Sequence, residues 1–376
     1  MTNLKIIIVG AYPESILNFR GDLINDLLRI NSNVVTVSNE PSKEQLKILN
    51  NKGITQFNVP FQRSSINPFN EILCLVKLIN ILRKEKPDCV IAYTIKPVIW
   101  TGIATFFQSN IKFFPLITGL GFAFGEGGLF RNFVKIIAIF LYKISLKKAT
   151  KVIFQNIHNK KQFTNLNIVK ENNSKVINGS GVNLDYYYFN KYKVNSPYIN
   201  FLMIARLLLD KGIIEFLNAA KIVKNNHPNA NFVLVGGTEN SKNSVSIELI
   251  NKFQEKGIIK YYGHVSDVRE HIKKCSVFVL PSYHEGMSRS IQEALSIGRP
   301  ILTTNVPGCR ETVIEGENGW LVKKGEITEL AEKMIWFIEN EDNILKMGEK
   351  SREICEQKFN VKKINNDIIK LIKNSF

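Results

Sequence analysis

The sequence contains few cysteines, no long apolar run and no spacing typical of a metal site. Its five cysteines are scattered over 376 residues and never form a Cys-x-x-Cys pair, which argues against a zinc site or a disulfide framework and for a reducing compartment. No segment has the roughly 18 apolar residues that a membrane-spanning helix needs. The apolar run at residues 4–10 is followed at once by a proline and an acid, so it predicts a first strand and not a signal peptide. These absences predict a cytoplasmic protein.

The positive charge is unevenly distributed along the chain, whose net charge is +17. Residues 1–195 contain 25 Lys and Arg against 11 Asp and Glu, a net +14, whereas residues 196–376 contain 25 against 22, a net +3. Such a potential suits nucleic acid or the anionic inner leaflet of a membrane. The alternative is a Lys- and Asn-rich composition whose charges lie on a solvated surface and bind no anionic partner. Composition alone leaves both interpretations open.

Residues 129–149 form an apolar stripe with basic residues along it. These basic residues are Arg131, Lys135, Lys143, Lys147 and Lys148. The pattern predicts either a core helix with a basic outer face or a helix that lies in a membrane interface, with aromatic rings in lipid and lysines at the headgroups. The charge of this half favours the second interpretation without deciding between them.

The length of 376 residues and the hydrophobic content of 44% predict two domains. In the first half, short apolar segments alternate with helical patterns, and this order predicts an α/β architecture with parallel, doubly wound sheets. The polar, proline-containing segment 191–198 predicts a hinge. We therefore predict a first domain over residues 1–194 and a second domain that begins at residue 195.

Two glutamates follow a predicted buried strand at residues 277–280. Glu285 falls in the loop after this strand, and Glu293 comes eight residues later in a helical segment. A loop carboxylate and a helix carboxylate can therefore converge on one ligand at the carboxyl edge of a sheet. The alternative is that the segment from Ser290 to Glu293 is only a capping box and that Glu285 is an exposed acid.

Two cations follow another predicted strand. Arg206 and Lys211 come just after the apolar run that begins at residue 200, and Gly212 opens the next helix. Two cations at the end of a strand are what a diphosphate group requires. An isolated Arg-x4-Lys pattern would more often be surface charge.

Several sequence blocks occur together and in one order. They are Glu285-Gly286, the Glu-x7-Glu spacing, Gly298-Arg299-Pro300 and the Glu-Asn-Gly-Trp-Leu-Val of residues 317–322. In this combination the chain resembles the retaining, nucleotide-sugar-dependent glycosyltransferases of the GT-B type, family four. The segments EGMSRSIQEA and NVPGCRETV are further similar to those of bacterial enzymes that build O-antigen, capsule or protein-linked glycans on a polyprenyl diphosphate.

The resemblance implies a fold and a function for each part of the chain. The expected fold is α/β, with two Rossmann-like doubly wound domains facing across a cleft. Residues 1–194 would bind the acceptor and residues 195–355 the nucleotide-sugar. Residues 356–376 would form a C-terminal helix that crosses back and packs on the N-terminal domain.

The resemblance also implies roles for individual residues. The catalytic residues would be Glu285, Arg206 and Lys211. The donor would be bound by Gly10, Gly263, His264, Val265, Gly286, Met287, Ser288, Arg289, Ser290 and Glu293. The acceptor would be bound by Arg20, Thr118 and Gly119. Two positions depart from the family pattern, because Thr118 stands where many members have a His or an acid, and Ser288 stands where they usually have a Pro.

The implied activity is retaining transfer of a hexose or an N-acetylhexosamine, with GalNAc or GlcNAc favoured, from a UDP-sugar to a polyprenyl-diphosphate-linked glycan. The enzyme would act as a peripheral protein on the inner face of the bacterial cytoplasmic membrane, with no nucleic-acid partner. No cofactor and no metal are expected, since the chain has no Asp-x-Asp motif. Two alternatives stay open: a UDP-sugar 2-epimerase of the GT-B type, and a basic nucleic-acid-binding protein.

Overall fold

A computed structural model of the chain describes residues 3–62, 67–108, 110–120, 124, 128–193, 198–239, 241 and 243–376, with residues 129–131 described by their backbone only. The chain divides into two compact units. The first unit comprises Met1–Ser180 together with Val361–Phe376, and the second unit comprises Gly181–Asn360.

These boundaries correct the predicted ones. The predicted junction at 194/195 lies outside the described residues, but the residues before it already belong to the second unit. Tyr192 is buried in the core of that unit and its hydroxyl donates to Glu341 at 3.1 Å. At the other junction, Cys355 and Phe359 are buried in the same core, so the second unit continues to Asn360 and not to residue 355.

The described part of the first unit contains one parallel sheet with the order β3-β2-β1-β4-β5-β6-β7. Its strands are β1 (Lys5–Val9), β2 (Asn33–Ser38), β3 (Thr55–Asn58), β4 (Cys89–Tyr93), β5 (Lys112–Ile117), β6 (Val152–Phe154) and β7 (Ser174–Val176). The helices that follow them in sequence are α1 (Pro13–Arg29), α2 (Lys43–Asn50), α3 (Pro68–Glu85), α4 (Ile95–Ala104), α5 (Leu129–Ser145) and α6 (Ile157–Asn165). The residues Ile6 to Val9 are fully buried, as expected for a central strand covered by helices on both faces.

A helix from the C-terminal part of the chain completes the first unit. This helix is α13 (Val361–Lys373), and the six helices described between α6 and α13 belong to the second unit. Its apolar positions recur every three or four residues and enter the same core as α1: Ile364, Ile368, Ile369 and Ile372. Asn365 also donates to Asp26 of α1 at 2.8 Å. The predicted packing of a C-terminal helix on the first domain is confirmed.

The second unit has a parallel sheet with the order β10-β9-β8-β11-β12-β13 in the residues described. Its strands are β8 (Asn200–Ile204), β9 (Asn231–Val235), β10 (Lys260–Tyr261), β11 (Val277–Leu280), β12 (Ile301–Thr304) and β13 (Gly319–Val322). Its helices are α7 (Ile213–Asn226), α8 (Ile247–Glu255), α9 (Arg269–Lys274), α10 (Arg289–Ile297), α11 (Ile327–Glu339) and α12 (Asp342–Ile354). The strand order reverses between β8 and β11, which is where open α/β sheets bind ligands.

Candidate active site

The loops that follow β8 and β11 are hydrogen-bonded and closely packed at the point where the strand order reverses. The Tyr283 amide donates to the Asp210 carbonyl at 2.9 Å. Gly212 has a φ of +74°, and a Cβ at this position would lie 2.1 Å from the Pro281 carbonyl oxygen. Only glycine tolerates both the left-handed backbone and this close approach. Gly212 therefore allows these two loops to lie side by side.

Lys211 and Glu285 meet where these loops join. The Lys211 ammonium lies 2.7 Å from the Glu285 carboxylate, and their side chains are only 14% and 16% exposed. The Ser282 hydroxyl donates to the same carboxylate oxygen at 2.9 Å. Gly308 packs against the Glu285 backbone. Its φ is +84°, and a Cβ there would lie 2.5 Å from the Glu285 carbonyl oxygen. Glu285 is therefore a mostly buried carboxylate with two side-chain partners, and the alternative of an exposed loop acid is wrong.

Arg206 forms an ion pair with Glu239, which comes four residues after β9. The loops after β8, β9 and β10 meet here. The Gly236 amide donates to the Gly263 carbonyl at 2.8 Å, and a Cβ at Gly236 would collide with the Ala205 carbonyl. The sequence prediction missed Glu239. The only signal for it was an acid soon after a strand that is followed by Gly-Gly.

The N-terminus of α10 is capped by Ser288. Its hydroxyl accepts from the Ile291 amide at 3.4 Å. Its own amide donates to the Gly308 carbonyl at 3.1 Å, and the donor-binding role of Ser288 stays a prediction. The amides of Arg289 and Ser290 open the helix, where N–H groups have no intrahelical acceptor. The capping-box interpretation of residues 290–293 is wrong, because the cap is two residues earlier.

Glu293 is paired with a cation from its own helix. The Arg289 guanidinium lies 3.0 Å from its carboxylate, one turn away, and both side chains are mostly buried. Arg289 also donates to the Gly181 carbonyl. Burial and the neighbouring negative charge of Glu293 raise the pKa of Tyr187. Glu285 and Glu293 thus have different cationic partners, and their convergence on one ligand stays a prediction.

The remaining predicted donor residues differ in what their side chains can reach. Met287 is buried in the hydrophobic core of the unit, and its donor-binding role stays a prediction. Gly263, His264 and Val265 follow β10. His264 is exposed, and a Cβ at Gly237 would lie 3.4 Å from the His264 Cβ. The donor-binding role of this segment stays a prediction.

In the first unit, Gly10 and Arg20 both pack against Tyr93. A Cβ at Gly10 would lie 2.3 Å from the Tyr93 hydroxyl, which also bonds to the Ser15 hydroxyl at 2.7 Å. Arg20 is 2% exposed, and its guanidinium lies 5.0 Å from the centre of the Tyr93 ring. An arginine on a first helix is more often a surface residue, but Arg20 is buried. Its acceptor-binding role stays a prediction.

Two further groups stand at the carboxyl ends of strands in the first unit. Thr118 and Gly119 directly follow β5, and their acceptor role stays a prediction. After β4, the side chains of Lys96 and Trp100 both donate to Glu71. The preceding Thr94 has a φ of +68°, a costly backbone for a β-branched residue. The sequence prediction missed this cluster because Glu71 lies on α3, 25 residues from Lys96.

Within the described ranges, no three His, Cys, Asp or Glu side chains are grouped as a metal site, and activity without a metal stays a prediction. In the same residues, no helix has the length and apolar character to cross a membrane.

Comparison with known proteins places this site in a family. Residues 187–357 match the family described as Glycosyl transferases group 1, and residues 15–156 match the family described as Glycosyl transferase 4-like. The chain is 31% identical over 349 residues, 90% of each chain, to the N,N'-diacetylbacillosaminyl-diphospho-undecaprenol alpha-1,3-N-acetylgalactosaminyltransferase of Campylobacter jejuni. It is 30% identical over 372 residues to the capsular polysaccharide biosynthesis glycosyltransferase CapM of Staphylococcus aureus, covering 96% of this chain and 94% of CapM.

Among solved structures, HepE of Anabaena in complex with UDP-glucose has a TM-score of 0.78 at 19% identity, covering 99% of this chain and all of HepE. The predicted α/β class with two Rossmann-like units is confirmed by this likeness and by the two parallel sheets. The matched motifs, the relatives and the fold agree: the chain belongs to the family-four glycosyltransferases of the GT-B type.

Proposed function

We propose that this glycosyltransferase moves a hexose or N-acetylhexosamine, with GalNAc or GlcNAc favoured, from a UDP-sugar to a polyprenyl-diphosphate-linked glycan, with retention at the anomeric carbon. The observation that carries the proposal is the Lys211–Glu285 ion pair at the carboxyl edge of the second sheet. Arg206 also follows β8 and is paired there with Glu239. The names of the relatives support the substrate class, since one is an N-acetylgalactosaminyltransferase that acts on a diphospho-undecaprenol and another a capsular polysaccharide enzyme.

The donor diphosphate is the group that these cations suit. Arg206 supplies a planar guanidinium and Lys211 an ammonium, and the first amides of α10 add partial positive charge from a helix N-terminus. When the bond between the sugar and the diphosphate breaks, negative charge grows on the leaving oxygen. Fixed donors at this position stabilise that charge, which is usually the largest catalytic contribution.

Glu285 has the position and charge to act on the sugar. Its carboxylate accepts hydrogen bonds from sugar hydroxyls and stabilises the positive charge that develops at the anomeric carbon. The acceptor oxygen attacks the face from which the diphosphate departs, and its proton passes to the leaving phosphate. Glu293 accepts from the ribose hydroxyls of the nucleotide.

The proposed location is the anionic inner face of the bacterial cytoplasmic membrane, approached through the first unit. Helix α5 buries Ala138 and Tyr142 in the core but exposes large apolar side chains on its outer side. Helix α3 also exposes large apolar side chains. The exposed side chains are Phe133, Ile136, Ile137 and Phe140 on α5 and Phe69, Ile72, Leu73 and Val76 on α3. An exposed apolar surface among lysines is typical of proteins that bind anionic lipid.

The deciding experiment is a screen of UDP-sugars against a lipid-diphosphate-linked saccharide, with the anomeric configuration of the product read by NMR. We expect an α-linked product from an α-linked donor, and activity that persists in EDTA because cations from the protein neutralise the diphosphate. Loss of all turnover in EDTA, restored by Mg²⁺ or Mn²⁺, would contradict the metal-free mechanism. Release of UDP together with an epimerised free sugar, without acceptor, would favour the 2-epimerase instead.

A further inference from the structure

Glu239 is a carboxylate at the donor site that the proposed chemistry does not use. It follows β9, and its side chain forms an ion pair with Arg206, which follows the neighbouring strand β8. Glu239 is an anion like the diphosphate, and it therefore occupies the cation that the diphosphate is proposed to bind.

The backbone around Glu239 holds it in this position. Its carbonyl accepts from the Ser241 amide at 2.9 Å and from the Ser244 hydroxyl. On the opposite side, the Leu207 amide donates to the Gly237 carbonyl at 3.0 Å, and the Val245 amide donates to the Leu207 carbonyl at 2.9 Å. The segment after β8 is thus hydrogen-bonded to the loop after β9 on both sides of Glu239, at Gly237 and at Val245. The pairing follows from the fold of the loop and is not a chance meeting of two long side chains.

The ion pair is accessible enough to exchange for a ligand. The Arg206 side chain is 41% exposed and that of Glu239 is 23% exposed, and pairs of this kind are weak because water screens them. The Lys211–Glu285 pair differs, since both of its members are mostly buried. A diphosphate carries more charge than one carboxylate and offers an arginine two oxygens at once, so it can replace Glu239.

We propose that Glu239 is an internal counter-ion that holds Arg206 in the donor-free enzyme and is displaced by the donor diphosphate. Glu239 then determines specificity for ligand charge. A ligand without a phosphate leaves the pair intact, and a diphosphate must supply enough attraction to break it. This inference rests on the proposed binding of a diphosphate by Arg206.

The test is calorimetric titration of UDP and of uridine into the wild-type protein and into Glu239→Gln. Removing the competing carboxylate should tighten UDP binding about two- to five-fold, the range expected for one partly exposed ion pair. Uridine has no phosphate, so its affinity should stay unchanged. Glu248→Gln is the matched control: it removes the same charge from an exposed residue of α8 and should change neither affinity.

The gain should also depend on Arg206. In the Arg206→Gln background, adding Glu239→Gln should no longer tighten UDP binding, and Glu239→Ala should act in the same direction as Glu239→Gln in the wild-type background. Unchanged or weaker UDP binding by both Glu239 variants, with normal melting temperatures and normal wild-type affinity, overturns the role of Glu239 and leaves the proposed function standing. Absence of UDP binding by the wild-type protein overturns the proposed function and this inference with it.

Discussion

The two glutamates of the Glu-x7-Glu spacing have separate partners, and this separation gives them separate expected defects. Glu285 is held by Lys211 and Ser282 in a loop, whereas Glu293 is held by Arg289 on a helix. A residue that acts on the sugar changes the rate, and a residue that holds the nucleotide changes its affinity.

We therefore expect Glu285→Ala to lower kcat by about 10²- to 10³-fold, the size of effect seen when a group that stabilises transition-state charge is lost. UDP affinity should remain near normal in this variant. Glu293→Ala should weaken UDP binding as well as activity. Steady-state kinetics and calorimetry with UDP measure both effects, and thermal melts are the control for folding. Normal kinetics with only a lower Tm in both variants would mean that these glutamates are structural.

His284 predicts a pH dependence of stability. Burial and then the positive charge of Lys211 lower its pKa, and Glu285, Asp210 and Lys324 also act on it. The unfolded chain therefore binds more protons than the folded protein below the ordinary histidine pKa of about 6.5. Stability that is present above this pH should be lost as the pH falls towards the lowered pKa.

His284→Asn should reduce the fall in Tm between pH 7.5 and pH 5.5. Burial also lowers the pKa of His271, so His271→Asn is the comparison that separates the two contributions. An unchanged pH profile of Tm in His284→Asn would contradict the assignment.

The residues that the sequence predicted best are those that follow a strand within one local segment. Arg206, Lys211 and Glu285 were identified in this way, and the structure brings Lys211 and Glu285 together. Glu239 could not be identified, because its partner is set by the pairing of β8 with β9, and 33 residues separate the two side chains. The cap at Ser288 was missed because a serine two residues later fits the same local pattern.

At the scale of elements, α4 shows where sequence patterns fail. The segment Ile95–Ala104 contains a proline and has no side-chain cap at its N-terminus, so it lacks the start signals on which helix prediction depends. Val98, Ile99, Gly102 and Ala104 are buried, which leaves little of the polar face that marks an amphipathic helix. Helix α5 was recognised, but which of its apolar residues face outward required the structure.

The lysines on α5 and directly after it give a prediction about membranes. Replacing Lys135, Lys143, Lys147 and Lys148 by Gln should weaken binding to anionic vesicles, because each basic residue near such a surface contributes about 1 kcal/mol. Transfer to a lipid-linked acceptor should slow, while transfer to a soluble short-chain acceptor should stay nearly intact. Vesicle sedimentation and the ratio of the two activities are the measurements.

The matched control replaces four exposed lysines of the second unit, Lys252, Lys256, Lys346 and Lys358, and should leave the ratio unchanged. An equal fall of both activities in the α5 variant would make its lysines structural or catalytic. An unchanged ratio would mean that the charge of these lysines has no role in transfer to the lipid-linked acceptor.

At the scale of the whole molecule, the first unit depends on a helix that is distant in sequence. Deleting residues 361–376 removes four buried isoleucines of α13 from its core. Burial of each such side chain contributes about 1.5–3 kcal/mol, and the total is comparable with the stability of a domain. The first unit should therefore unfold while the second remains folded.

Hydrogen exchange read by mass spectrometry distinguishes the two units in this deletion variant. Peptides from β1, β4 and α1 should lose protection, and peptides from β8, β11 and α7 should keep it. The control is Lys363→Gln, an exposed position on α13, which should preserve protection throughout. Full protection of β1 in the deletion variant would show that α13 is dispensable for this unit.

The two places where the chain passes between units are neighbours: the Val182 amide donates to the Phe359 carbonyl at 2.8 Å, and Val182 pairs with Asn360. The second unit is thus inserted within the first, between Ser180 and Val361. On the ribosome, residues 1–180 must wait for α13 until the whole second unit has been translated, roughly 10–40 s at about 5–20 residues per second. During this delay we expect the apolar surface of α1 that α13 later covers to be exposed, and the nascent first unit to bind chaperones.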